Sequence, residues 1–205
     1  MIAIIDYGVG NLFSLSCSFS AIGAETVITG DEAVIKAADR LVLPGVGAFG
    51  DAARKLRECG LYDVIKREAE NGKPLLGICL GMQLLFERSF EYGIHEGLSL
   101  LKGDIVPMEE RIDKNLKIPH IGWNKLKFTK DSPLFKYIND GDFVYFVHSY
   151  FAENCDDSLA ATTDYGKDLT AVVSKGNIFG CQFHPEKSGE TGLKILRAFC
   201  ETERV

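Results

Sequence analysis

The chain opens on a run of four apolar residues, Ile2 to Ile5, that ends at the turn Tyr7-Gly8-Val9-Gly10. A run this short with no polar alternation reads as a strand buried on both faces. From Asn11, a residue able to cap a helix, apolar positions recur at Leu12, Leu15, Phe19 and Ile22. That spacing of three and four lines one helical face. Glu25 to Ile28 and Arg40 to Gly45 read as two further strands, the second stopped by Pro44-Gly45. Helical patterning returns around Ala52–Glu58 and Leu61–Asn71, until Gly72 and Pro74 break it. Pro74 to Glu87 then reads as a buried strand, a tight turn at Cys79 and a helix.

The later half changes character. LKGDIVPM, WNKLKF, DFVYFVHSYF, LTAVVS and NIFGCQFH are all strand-like, separated by turns rich in Gly, Asn and Asp. A last helix, about Gly189 to Glu201, turns Leu193, Ile195, Leu196 and Phe199 inward. The pattern predicts an α/β fold, a central and mostly parallel sheet flanked by helices with an antiparallel extension. With no repeat, low-complexity tract or linker, residues 1–205 are expected to form one domain.

Composition narrows the function. The chain is 46% hydrophobic and 25% charged, as expected of a soluble globular protein. Its net charge of −6, from 23 basic and 29 acidic residues without a basic cluster, argues against a nucleic-acid partner. The N-terminus lacks the charged region and cleavage site of an export signal, and no apolar run is long enough for a membrane span. Six scattered cysteines without a CxxC pair are expected to be reduced thiols in a cytoplasmic protein. Gly8-Val9-Gly10 has Phe13 where a dinucleotide loop needs glycine, there is no Walker loop, and His95-Glu96 lacks a second histidine at metalloprotease spacing. His95 and His120 are expected at the surface or in hydrogen bonds, and no metal or cofactor is expected.

Three segments carry chemistry. Gly77-Ile78-Cys79-Leu80-Gly81 sits between a predicted strand and a predicted helix, the cysteine form of a nucleophile elbow. The apex of such a turn is strained, and flanking side chains would collide with neighbouring elements, which glycines avoid. A helix start also offers free N–H groups that favour an anionic sulfur. Taken alone, the pattern equally suits a small buried cysteine. In His184-Pro185-Glu186, proline biases His184 to extended backbone, where residues two apart share a side. Glu186 can then orient His184 as the base for Cys79; alone, the tripeptide suits a surface turn. Pro44-Gly45-Val46-Gly47 follows a predicted parallel strand, at the sheet edge where ligands collect. Gly-rich backbone there can aim N–H groups at a developing oxyanion, with the N–H of Leu80 as a second donor, although an ordinary loop would look the same.

PGVG, GICLGMQ and FHPE, in this order, resemble the class I (triad) glutamine amidotransferases. PGVGAFGDA (44–52), GICLGMQLLFE (77–87), IPHIGWN (118–124), FVHSY (146–150), QFHPEKS (182–188) and the opening DYGVGNL (6–12) are similar, more closely, to the glutaminase subunits of imidazole glycerol phosphate synthases. The resemblance implies a flavodoxin-like fold and glutamine as substrate. It makes Cys79 the nucleophile and His184 the proton carrier, with Gln83, Glu91, Ser149 and Tyr150 holding the amino-acid end of glutamine. It implies that the Val46-Gly47 peptide rotates before its donors point at the oxyanion. It also implies a heterodimer with a (β/α)₈-barrel cyclase, which uses the ammonia to form imidazole glycerol phosphate and AICAR in histidine biosynthesis, with Asn11, Trp123 and Tyr145 toward that partner. Two further readings stay open: a paralogue that serves another ammonia acceptor, and a non-catalytic subunit that kept the fold.

Overall fold

The computed structural model describes residues 1–204. Its first half runs β1 (Ile2–Ile5), α1 (Leu12–Ala21), β2 (Thr26–Thr29), α2 (Glu32–Ala37), β3 (Arg40–Leu43), α3 (Phe49–Glu58), α4 (Leu61–Glu70), β4 (Leu75–Ile78) and α5 (Leu80–Gln83). The second half runs β5 (Arg88–Ser89), β6 (His95–Glu96), β7 (Asp104–Pro107), β8 (His120–Lys125), β9 (Lys127–Phe128), β10 (Phe143–His148), β11 (Tyr150–Glu153), β12 (Leu159–Asp164), β13 (Asp168–Lys175), β14 (Ile178–Cys181) and α6 (Gly189–Cys200).

An eight-stranded sheet in the order β2-β1-β3-β4-β14-β13-β12-β9 forms the centre. Pairing is parallel from β2 through β14 and antiparallel beyond it, the expected mixture. Alternation within the apolar strands divides the core between the two faces. Ala3, Ile5, Leu41 and Leu43 face the layer with Ile35 and helices α3 and α4. Ile2, Ile4 and Val42 face the layer with Leu15 and Phe19 of α1 and Ile195, Leu196 and Phe199 of α6. Burial on both faces explains why these strands carry almost no polar residue.

Four expectations need correction. Asn11 stands at the start of α1, but its side chain makes no capping hydrogen bond. The helix after Cys79 lasts only four residues and passes into turns at Leu85 and Phe86. DFVYFVHSYF is two strands in different sheets. Up to His148 the chain pairs with β8; at Ser149, whose carbonyl accepts from Met108 N–H (3.0 Å), it crosses to pair with β7. WNKLKF likewise divides at the buried Leu126 between β8 and β9. Among the described residues, no helix is long and apolar enough to cross a membrane.

Candidate active site

The carboxyl ends of β3 and β4, beside the point where strand order reverses at β1, are where ligands gather in open α/β sheets. Cys79 projects there. Its backbone lies at φ 54°, ψ −113°, a sparsely populated region that costs ~1–3 kcal/mol for a residue with a side chain. The neighbouring glycines hold it there. A Cβ on Gly77 would lie 2.6 Å from Met82 Cα, and one on Gly81 would collide with the carbonyl of Leu43. The Cys79 N–H, in turn, donates to the Cys181 carbonyl of β14 (2.7 Å), pinning the elbow to the sheet.

His184 arrives from the next strand over. β14 ends at Cys181, and His184 N–H donates to the Tyr145 carbonyl of β10 (3.0 Å). On one side of its ring is Cys79, with which it lines the same cavity. On the other, Nδ1 lies 2.8 Å from Glu186 Oε1, so the buried carboxylate fixes which nitrogen carries the orienting proton. Burial alone would push the His184 pKa down. The neighbouring Cys79 and Glu186, which favour the charged ring, outweigh it and raise the value to about 9. These contacts favour the protonated ring, the form that can give up a proton. The other Glu186 oxygen, Oε2, is buried without a hydrogen-bond partner among the described residues.

A cavity of about 540 Å³ opens over this pair. Val46, Gly47, Cys79, Leu80, Gln83, Glu91, Ser149, Tyr150 and His184 all line it, so the structure brings these candidates together. Glu186 sits behind His184, at its Nδ1. Leu80 opens α5, so its N–H is one of the donors a helix start leaves free. Tyr7 braces the facing loop by donating to the Pro44 carbonyl (2.8 Å), and a Cβ on Gly45 would press against that hydroxyl. Gly47 has φ +95° and open space where a Cβ would stand. Burial raises the pKa of Glu91, against the pull of the Phe49 N–H that donates to its carboxylate (2.5 Å). Ser149 and Tyr150 reach the cavity because the chain changes sheets at that point.

Asn11, Trp123 and Tyr145 lie outside the cavity. Asn11 is exposed, and Trp123 (52% exposed) stacks edge-on against Tyr145 at 5.9 Å on the two-stranded sheet β8–β10. Three polar residues at the site had no role assigned from the sequence. Lys187, directly after Glu186, lines the cavity, as does His148. Gln182 is wholly buried beside Cys79. His120, expected at the surface or in hydrogen bonds, is buried and hydrogen-bonded: Nδ1 lies 3.0 Å from His148 Nε2, and Nε2 lies 3.0 Å from Asn124 Oδ1. The six cysteines are free thiols, of which Cys17 and Cys59 are exposed.

A sheet edge that holds a strained cysteine against a histidine–carboxylate pair invites comparison with known amide-processing enzymes. The model of the class-I glutamine amidotransferase family matches residues 3–202, and the chain belongs to that family. Within it, the similarity is to imidazole glycerol phosphate synthase subunit HisH. That subunit from Caldanaerobacter subterraneus subsp. tengcongensis is 54% identical over 202 residues, 98% of each chain. The one from Lactococcus lactis subsp. lactis is 52% identical over 201 residues, again 98% of each. Solved structures agree on the fold. A glutamine amidotransferase superposes with a TM-score of 0.77 at 18% identity, covering 98% of both chains. PurLQS from Thermotoga maritima gives 0.73 at 21% identity, covering 97% of this chain and 96% of that one.

Proposed function

We propose that this chain, acting as one domain, hydrolyses glutamine through Cys79, His184 and Glu186 and passes the ammonia to a separate (β/α)₈-barrel cyclase that forms imidazole glycerol phosphate and AICAR. The observation that carries the reading is the convergence, in one cavity, of the strained Cys79, His184 with Glu186 behind it, and the polar groups of Gln83, Glu91, Ser149 and Tyr150.

Each step has a group suited to it. The Cys79 sulfur attacks the side-chain carbonyl carbon of glutamine, and the oxygen takes the charge toward the N–H groups of Leu80 and Gly47. The C–N bond breaks as His184 gives its proton to the departing nitrogen, leaving a glutamyl thioester and ammonia. Water then attacks the thioester, losing a proton to His184; the C–S bond breaks and glutamate leaves. Glu91 and Gln83, which line the cavity, are the groups proposed to hold the amino-acid end of the substrate. The open space around Gly47 leaves room for its peptide to rotate into the donor position.

The partner fits the outward face of β8–β10. Ile121, Trp123 and Phe143 are exposed there, and Tyr145 stands opposite Trp123 in register. Contiguous apolar exposure of this kind marks an interaction surface. It also touches the triad, because the Tyr145 carbonyl accepts from His184 N–H. The test is Cys79→Ala in the reconstituted pair. Glutamine-dependent synthesis is expected to vanish while ammonia-dependent synthesis persists; loss of both would contradict the division of labour.

A further inference from the structure

We infer that Gln182 is a positioning residue for the nucleophile: its buried carboxamide, oriented by Gln83, presents an N–H to the Cys79 sulfur. The inference rests on Cys79 as nucleophile and begins with hydrogen-bond direction. The Tyr150 carbonyl can only accept, and it lies 2.9 Å from His148 Nδ1 and 3.1 Å from Gln83 Nε2. Gln83 must therefore turn its nitrogen toward Tyr150; flipped, it would set oxygen against oxygen. The second hydrogen on the same nitrogen reaches Gln182 Oε1 at 3.1 Å. That fixes Gln182 as well, and places its Nε2 3.9 Å from Cys79 Sγ.

The sulfur thus has neighbours of opposite demand. The Val147 carbonyl, also at 3.9 Å, suits a thiol that can donate. Gln182 suits an anion that must accept, and it is a neutral donor that the substrate need not displace. Wholly buried, Gln182 has no water to compensate a lost partner, so its carboxamide is held by this chain of bonds. The backbone N–H of Gln182 donates to Ala171 of β13 (2.9 Å), which anchors the residue independently of its side chain. Gln83 lines the glutamine cavity, so the residue that meets substrate also orients the group that meets sulfur.

Gln182→Met keeps the size and removes the donor; Gln182→Glu keeps the size and offers only acceptors to the sulfur when ionised. The readouts on the full chain are iodoacetamide alkylation of Cys79 as a function of pH, and steady-state kcat and KM for glutamine. Gln182→Met is expected to lower kcat and neutral-pH alkylation by about tenfold to a hundredfold. KM should stay within about threefold, and the alkylation profile should move to higher pH, further still in Gln182→Glu. An unmoved profile with wild-type kcat in Gln182→Met overturns the inference. If that variant loses its circular-dichroism signature, Gln182→Glu is read in its place, and an unmoved profile there overturns it equally. Cys79→Ala separates this from failure of the underlying reading: glutamine turnover in that variant would remove Cys79 as nucleophile, whereas unmoved Gln182 variants beside an inactive Cys79→Ala would remove only the role of Gln182.

Discussion

The ion pair at the centre of the site is asymmetric, and the asymmetry ranks its members. In the proposed mechanism His184 moves the proton, while Glu186 holds the ring and favours its charge through a 2.8 Å contact. Gln at 186 can still accept from Nδ1–H through its oxygen, so geometry survives while charge is lost. Glu186→Gln is therefore expected to retain on the order of ten- to a hundredfold more glutaminase activity than His184→Ala. Equal and total loss in both, with the fold intact, would contradict the ranking. The pH dependence follows from the same contacts. The His184 pKa is raised to about 9, so the proton it donates is present below that value and lost above it. Wild-type kcat should fall on the alkaline side near pH 9, and Glu186→Gln should bring that limb to lower pH, because one of the groups that raise the pKa is neutralised. A limb that stays in place in the variant would mean that Glu186 does not set it. The same sign holds for stability: the charged His184 stabilises the folded chain fully below about pH 6.5, its ordinary value, and the contribution fades as pH rises through about 9.

Among elements, the two-stranded sheet β8–β10 has the most to explain. One side packs Val144 and Phe146 into the core, while the other leaves Ile121, Trp123 and Phe143 in solvent. Large aromatics at the centre of such a face are the usual anchors of an interface. Trp123→Ala should weaken binding of the cyclase barrel by more than about tenfold while leaving the melting temperature of the free chain nearly unchanged; isothermal titration and a thermal melt read the two. Unaltered affinity would move the docking surface elsewhere. The sequence was informative about elements where an apolar run or a helical period had no competitor. β1, β3, β4, α3, α4 and α6 were legible for that reason. α2 was not, since its six residues bury only Ile35 and its stability comes from the Asp31 cap, whose side chain accepts from Ala33 and Val34 N–H. β12 was missed because its buried positions are Ala160, Ala161, Thr162 and Thr163, small or polar residues with no strand-like contrast. The break at Ser149 was hidden too, because apolar residues continue across it while the pairing partner changes.

For the molecule as a whole, motifs far apart in sequence proved to be one place. The predicted catalytic, oxyanion and substrate residues meet at the carboxyl edge of β3 and β4: the turns after β3, β4 and β14 bring most of them, the crossing at Ser149 brings two more, and Glu91 arrives from the turn after β5. What the sequence did not disclose was the layer behind them. The bonds joining His148, Tyr150, Gln83, Gln182 and Cys79 depend on side-chain orientation, which no spacing rule encodes. That layer and the β8–β10 face converge on the triad from two sides, which is the arrangement expected if docking on the outer sheet tunes a poised site. The decisive measurement is glutamate release by the purified chain, alone and with the proposed cyclase barrel and that barrel's nucleotide ligand. A rise of about 5- to 150-fold on assembly is predicted, the range of an ordinary coupling free energy. Turnover that ignores the barrel, or none under either condition from a folded chain, would contradict the account.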